Sequence, residues 1–336
     1  MFSQRQIQSS NPMQFKTQEI EESLKSTGVY KKDSFIIKQL VDFDQYRQEE
    51  EYIPAEEDFV FALQNTNPQT PFLGVVNYSF KREGYCLNTY ENRDIYFGYY
   101  LNDLRNKKGI YSFCPIMDAK NLYTQFYYGS WQNDLYNGYG IYLWLKESKD
   151  AIPFTDFANA NFDAFVGESV DGKFKKGALL SKEGKKNFIY YGTFSEDGQK
   201  EGNKCFYYST NLERLCYGTF NNGKFNEGYV GNFNKEGKLS DLIIFKKEKG
   251  KKPQAEKIRI NSQQKITNIL TNFRKVVLSK NYFNMIYEEF GKILKTRDEK
   301  MNNIEIFFSD EYEKIMNSFT FDKISLCQDI EKYVEL

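Results

Sequence analysis

The sequence predicts a mainly β chain of stacked antiparallel hairpins, followed by an α-helical C-terminal segment. Aromatic–glycine patterns recur through the middle of the chain, and such self-similarity marks a repeat architecture. From about residue 255 glycine nearly vanishes. Apolar residues there take the three-and-four spacing of helices in place of the alternation of strands.

The sharpest copy of the repeat runs Tyr127, Gly129, Trp131, Asp134, Gly138, Gly140, Tyr142 and Trp144. An earlier copy places Tyr96, Gly98, Tyr100, Asp103, Gly109, Tyr111 and Phe113 at matching offsets. A later one has Tyr190, Gly192, Phe194, Gly198 and Gly202. Looser copies start at Phe165 with Gly167, at Gly218 with Phe220, and at Tyr229 with Gly231 and Phe233; Phe72 with Gly74 opens the series. The two longest gaps between repeat-marking glycines, Gly98 to Gly129 and Gly129 to Gly167, imply loop insertions.

In aromatic-x-Gly-x-aromatic all three residues point to one face of a strand. After a turn of about six residues, Gly138, Gly140, Tyr142 and Trp144 share a face again. Each copy therefore reads as a hairpin with rings on one side and gaps between them. The gaps admit a neighbouring hairpin's ring close to the backbone, where a β-carbon would obstruct it. One hairpin is marginal in water, but stacked hairpins bury a continuous core. The expected result is a single-layer or gently twisted array.

The pattern that is intact from Tyr127 to Gly140 resembles the MORN (membrane occupation and recognition nexus) repeat, over about half the chain. The resemblance implies an array of β-hairpins used as a rigid spacer and interaction platform in axonemes, in cytoskeletal baskets or at membrane junctions. Lys107 and Lys176 stand where the intact copy has Gly138, a departure that puts those two turns in question.

The flanks read differently. Residues 1–70 are polar, with an apolar cluster at Phe35, Ile36, Ile37, Leu40 and Val41 and an acidic stretch from Glu49 to Asp58. This composition predicts an extended, partly disordered arm. The array is expected over residues 71–245 and a basic linker over 246–256. Residues 246–259 hold seven basic side chains, Lys246, Lys247, Lys249, Lys251 and Lys252 among them, against Glu248 and Glu256. These lysines are candidate contacts for an anionic membrane or a partner.

Residues 257–336 are expected as a helical docking segment. Ile266, Ile269, Leu270, Phe273, Val276 and Val277 mark one helix, and Phe283, Ile286, Tyr287, Phe290, Ile293 and Leu294 a second. Thr296 and Glu299 resemble a capping box opening a third, with Ile304, Phe307 and Phe308. Ile315, Met316 and Phe319, then Ile324, Cys327 and Val334, suggest two more. About eighty residues is marginal for an independent core, so these helices are expected on the last repeats and on another subunit.

Composition excludes several functions. The chain has no histidine, which removes the His-based nucleophile systems and His-containing metal sites. Lysine plus arginine balance aspartate plus glutamate, 46 against 46, unlike a generally basic nucleic-acid binder. Cys86, Cys114, Cys205, Cys216 and Cys327 have no CxxC spacing and read as reduced, mostly buried thiols. Carboxylates near aromatics, such as Asp118 and Asp134, show no acid–base spacing. No cofactor or catalytic residue is expected, no signal peptide is visible, and a cytoplasmic location follows. The combined expectation is a non-enzymatic scaffold that binds other protein subunits in a cytoskeletal assembly, with a ciliary axoneme complex such as a radial spoke implied by the resemblance. The alternative is a peripheral tether that binds acidic phospholipids through the repeats and the basic linker.

Overall fold

Four tight turns convert the repeats into a sheet. Asn102 with Asp103, Asn133 with Asp134, Asp171 with Gly172, and Asn222 with Gly223 each hold both central residues at positive φ. That is the geometry of the type I′ hairpin turn, which Asn, Asp and Gly adopt with least strain. The turns thus have two residues rather than about six; the remaining offset is absorbed by a β-bulge beyond the turn, with a register shift between Gly129 and Trp131 in the sharpest copy. Gly138 lies at that bulge with φ +98°. At the corresponding place Lys107 adopts φ +51°, its ammonium 3.8 Å from the Tyr99 ring centroid. The lysine keeps the turn by entering the left-handed region itself. Lys176 marks a register shift too, without a positive φ.

The structure, a computed structural model, describes residues 60–65, 72–77, 81–148, 154–184, 186–248, 250–300, 311–319, 321 and 324–334. Their strands are β1 (Val60–Asn65), β2 (Phe72–Asn77), β3 (Arg82–Thr89), β4 (Ile95–Leu101), β5 (Leu104–Ser112) and the short β6 (Ile116–Met117). Then come β7 (Asn121–Gln132), β8 (Leu135–Ser148), β9 (Asn161–Val170), β10 (Lys173–Glu183) and β11 (Lys186–Phe194). The series closes with β12 (Lys200–Ser209), β13 (Arg214–Asn221), β14 (Lys224–Phe233), β15 (Leu239–Lys246) and β16 (Gln254–Ile258). They form one antiparallel sheet in chain order, with β6 off the path and paired to β7. A mainly β repeat array followed by helices is therefore the architecture.

Its limits differ from those the composition suggested. β1 lies within the expected arm and pairs with β2, because VFALQN forms an edge strand without the glycine–aromatic mark. The expected basic linker is instead the connection of a last hairpin, since β15 pairs with β16. β16, QAEKI, is polar and almost wholly exposed, so alternation could not reveal it. The apolar cluster at 35–41 and the acidic stretch at 49–58 lie outside the described residues.

A 3₁₀ turn (Ile260–Ser262) leads into α1 (Gln264–Ser279), α2 (Tyr282–Lys300), α3 (Glu311–Ser318) and α4 (Leu326–Tyr333). Thr296 and Glu299 lie inside α2 and open no new helix; Ile304, Phe307 and Phe308 lie outside the described residues. The helices do not stop at the last repeats. They cover one face of the sheet from β7 to β14. Phe273 of α1 stacks on Phe206 with centroids 4.2 Å apart. Phe290 of α2 meets Phe126 at 5.6 Å, Phe321 stacks on Tyr128 at 4.1 Å, and Cys327 of α4 lies 3.1 Å from the Val166 carbonyl oxygen. These apolar stripes are covered by the chain's own sheet. Phe154 and Phe157, from the insertion between β8 and β9, wedge against Tyr287 of α2.

Carboxylates fasten the layers. Glu213 receives the Arg274 Nε–H at 2.9 Å and the Tyr208 hydroxyl at 2.7 Å. Glu331 pairs with Lys176 and accepts from Tyr191 at 2.8 Å. Burial works against the charge of Glu331, but these two partners outweigh it and hold its pKa below the usual value. Glu147 differs: burial dominates and raises its pKa, although the Tyr287 hydroxyl donates to it at 3.1 Å.

Fully buried Phe273 sets a test of the helix layer. Phe273→Ala should lower stability by about 3–5 kcal/mol, read from urea unfolding. A change near zero would mean that α1 does not pack on β12.

Candidate functional face

The sheet's other face carries the repeat residues, and a row of close backbone approaches organises it. Gly98 pairs with Gly109, Gly109 with Gly129, Gly129 with Gly140, Gly140 with Gly167, and Gly167 with Gly177. The row continues through Gly177 with Gly192 and Gly218 with Gly228. Cys86 and Cys205 take glycine's place at two steps, opposite Gly98 and Gly218. Over Gly98 with Gly109, Gly129 with Gly140, and Gly167 with Gly177 lies the ring that begins the repeat, whereas Gly218 and Gly228 meet only backbone. A β-carbon on Gly129 would sit 2.6 Å from both the Tyr127 hydroxyl oxygen and the Gly140 Cα. The gap is therefore filled by the ring two residues earlier in the same hairpin, rather than by a neighbouring hairpin's ring.

The tyrosine hydroxyl then reaches the bulge. Tyr96 donates to the Tyr99 carbonyl at 3.0 Å, Tyr127 to Ser130 at 2.9 Å and Tyr190 to Thr193 at 2.8 Å. Burial pushes all three hydroxyls above their ordinary pKa, which keeps them protonated as donors. Phe165 holds the fourth site without a hydroxyl and stacks on Phe174 at 3.9 Å.

Second rings brace the first: Trp131 meets Tyr127 edge-on at 5.2 Å and Tyr96 at 5.4 Å, and Tyr100 meets Tyr96 at 5.1 Å. Phe194 and Phe220 stand in the same relation to Tyr190, at 5.3 and 5.2 Å. Tyr142 stacks on Trp144 at 4.1 Å. The last assigned copy departs from the pattern. Gly231 and Phe233 face the helices, where Gly231 abuts Leu270 and Phe233 lies under Arg274 at 5.2 Å.

Arginine clamps join successive hairpins, and sequence reading missed them. The Asp103 amide donates to the Arg82 carbonyl, and the Asp134 amide to that of Arg105, both at 3.1 Å. In return each arginine gives its backbone N–H and its Nε–H to the aspartate carboxylate at 2.8–2.9 Å. Arg105 is 1% exposed, its guanidinium 4.8 Å from the Trp131 ring. The recurring Asp of the repeat was the visible signal; its arginine partner, in the preceding hairpin, was not.

Asp134 is thus bound to Arg105. Asp118 is exposed in a turn, where the Lys120 and Asn121 amides and the Tyr123 hydroxyl hold its pKa low. The two carboxylates are held in separate places by separate partners. Of the candidate contact lysines, Lys246 and Lys251 both pair with Glu248. Lys247 and Lys252 are exposed in the same connection, and Lys249 lies outside the described residues.

Partly exposed rings remain along this face, namely Trp144, Phe188, Tyr207 and Phe225. Between them is a pocket of about 280 Å³, walled by Trp144, Phe174, Leu179, Phe188 and Phe194, with Lys200 beside them. Fold and face together define a β-hairpin repeat protein, clad in helices on one side and presenting rings on the other. No protein-family model matches the chain, and no curated protein matches it. No helix among the described residues is long and apolar enough to cross a membrane.

The ladder makes a graded prediction. Gly129→Ala should lower stability by about 2–3 kcal/mol, because backbone lies on one side and a ring on the other. Tyr127→Phe should lower it by only about 1 kcal/mol, the value of one hydrogen bond, since Phe165 already fills the equivalent place. Equal losses in thermal or urea unfolding would contradict the close-approach account.

Proposed function

We propose that this chain is a non-enzymatic scaffold whose ring-bearing face contacts other protein subunits of a large cytoskeletal assembly. The observation that carries the reading is the row Trp144, Phe188, Tyr207 and Phe225, partly exposed on the face the described helices leave open. Aromatic rings supply large contact area at small entropic cost, and they concentrate at protein interfaces. The helix layer, packed on the other face, stiffens the sheet behind them. The resemblance to MORN repeats points to a cytoplasmic, axonemal assembly such as a radial spoke.

The phospholipid tether is the weaker reading. Its basic stretch is a hairpin connection in which Glu248 neutralises part of the charge of Lys246 and Lys251.

Detergent extraction of ciliated cells expressing the tagged chain, followed by pelleting of the microtubule skeleton, tests the proposal. The chain should stay with axonemes and resist moderate salt. Release with the membrane fraction would overturn the axonemal scaffold and favour the tether.

A further inference from the structure

The clamps that join hairpins reveal one place where a clamp is incomplete. At four steps a turn amide donates to a backbone carbonyl in the preceding hairpin: Asp103 to Arg82, Asp134 to Arg105, Gly172 to Tyr136 and Gly223 to Lys200. In the first two steps the turn residue also supplies a carboxylate to the cation. In the third, neither partner is charged. In the fourth the cation is present, as Lys200, but the turn residue is glycine and brings no carboxylate.

Lys200 is consequently left among rings. Its ammonium lies 4.6 Å from the centroid of Phe188, 5.2 Å from Tyr207 and 5.5 Å from Tyr190. No hydrogen bond or ion pair holds it among the described residues. Burial lowers its pKa, and the nearby charge of Asp163 only partly restores it. An ammonium carries three donors, and leaving them unanswered in a half-buried place is unfavourable. Two carboxylates, Glu196 and Asp197, lie at the rim of the pocket that Lys200 lines; both are exposed, Glu196 pairs with Lys173 at 3.3 Å, and solvent screens them.

Lys200 and Gly223 both line the pocket of about 280 Å³, together with Trp144, Phe174, Phe188 and Phe194. We infer that this pocket binds a carboxylate carried on an aromatic or apolar group, the carboxylate meeting Lys200 where Asp103 and Asp134 meet their arginines. The apolar body rests against Trp144 and the phenyl rings. Lys200 already lies over the face of Phe188, and its own charge repels a second cation there. The inference rests on the proposed use of this face for contact, and it specifies the chemistry of what is contacted. Two sources share that chemistry, a small aromatic acid and the free C-terminal carboxylate of a partner protein that ends in an aromatic residue.

The protein contains two tryptophans. Trp131 is 3% exposed and Trp144 lines the pocket, so emission from Trp144 reports occupancy. 3-Phenylpropionate titrated into the full chain should change that emission saturably. 3-Phenylpropionamide should bind at least about tenfold more weakly, because a charge-assisted hydrogen bond is lost. Lys200→Met should remove the preference for the acid.

Gly223→Asp should abolish acid binding by completing the clamp internally. Asp103 and Asp134 hold φ +68° where Gly223 holds φ +76°, and a β-carbon there would displace only the end of the flexible Gln199 side chain, 2.9 Å away. This variant should melt at or above the parent temperature, so loss of binding is separated from loss of fold. A short acetylated peptide ending in a free phenylalanine carboxylate, compared with its amidated form, distinguishes the sources. Tighter binding of the free-acid peptide than of phenylpropionate assigns the site to a protein C-terminus, and the reverse order to a small acid. Equal binding of acid and amide, tighter binding of phenethylammonium, or undiminished acid binding by Gly223→Asp would overturn the inference. Because the titration uses the isolated chain, its failure would leave retention on axonemes unaffected.

Discussion

The sharpest repeats fold around a ring pressed onto two backbones, and a β-carbon on either glycine beneath Tyr96 or Tyr127 would collide with that ring. Tyr127 covers Gly129 and, across the strand pair, Gly140; Tyr96 covers Gly98 and Gly109 in the same way. A ring seated so low brings its hydroxyl to the carbonyl freed at the bulge, satisfying a polar group that a regular ladder would have paired. The bulge and the two-residue turn then place Asp134 against Arg105, which belongs to the preceding hairpin. One close approach therefore sets the strand register, the bulge and the inter-hairpin clamp together.

The same approach separates the work of the two faces. With aromatics sunk onto glycine on one side, alternation places Ile141, Leu143, Val166, Ala178, Leu180 and Phe206 on the other. Those residues alone would expose a broad apolar surface, an aggregation hazard in water. The helices cover it from β7 to β14, and Glu213 and Glu331 fix them with charge-assisted bonds. The small Ala178 in that row lies beside α4, whose Cys327 touches the Val166 carbonyl. One face is packed under helices, and the other leaves its rings partly exposed.

Much of this was legible in the residues. Tyr127, Gly129 and Trp131 do share a face, and the stripes of α1 and α2 are the stripes their spacing marks. Four features were not legible, for identifiable reasons. β16 pairs through its backbone while its side chains stay in water, so its composition carries no alternation. Gly231 and Phe233 repeat the aromatic–glycine spacing, yet they face α1, because spacing sets which residues share a face but not which face. The pairing of Arg105 with Asp134 spans 29 residues, and neither sits in a motif that names the other. The pocket at Lys200 was hidden likewise, since it depends on what Gly223 lacks.

The helices clothe one face of the sheet and leave the ring-bearing face open. Hydroxyl-radical footprinting with residue-level mass spectrometry tests this arrangement directly, since aromatic side chains oxidise in proportion to their exposure. Trp144, Phe188 and Tyr207 should label readily. Tyr128, Phe206 and Phe273 should be protected, as should Tyr127 above its glycines. Labelling of Tyr128 and Phe206 at the rate of Trp144 would contradict the account, because it would mean that the helices rest elsewhere.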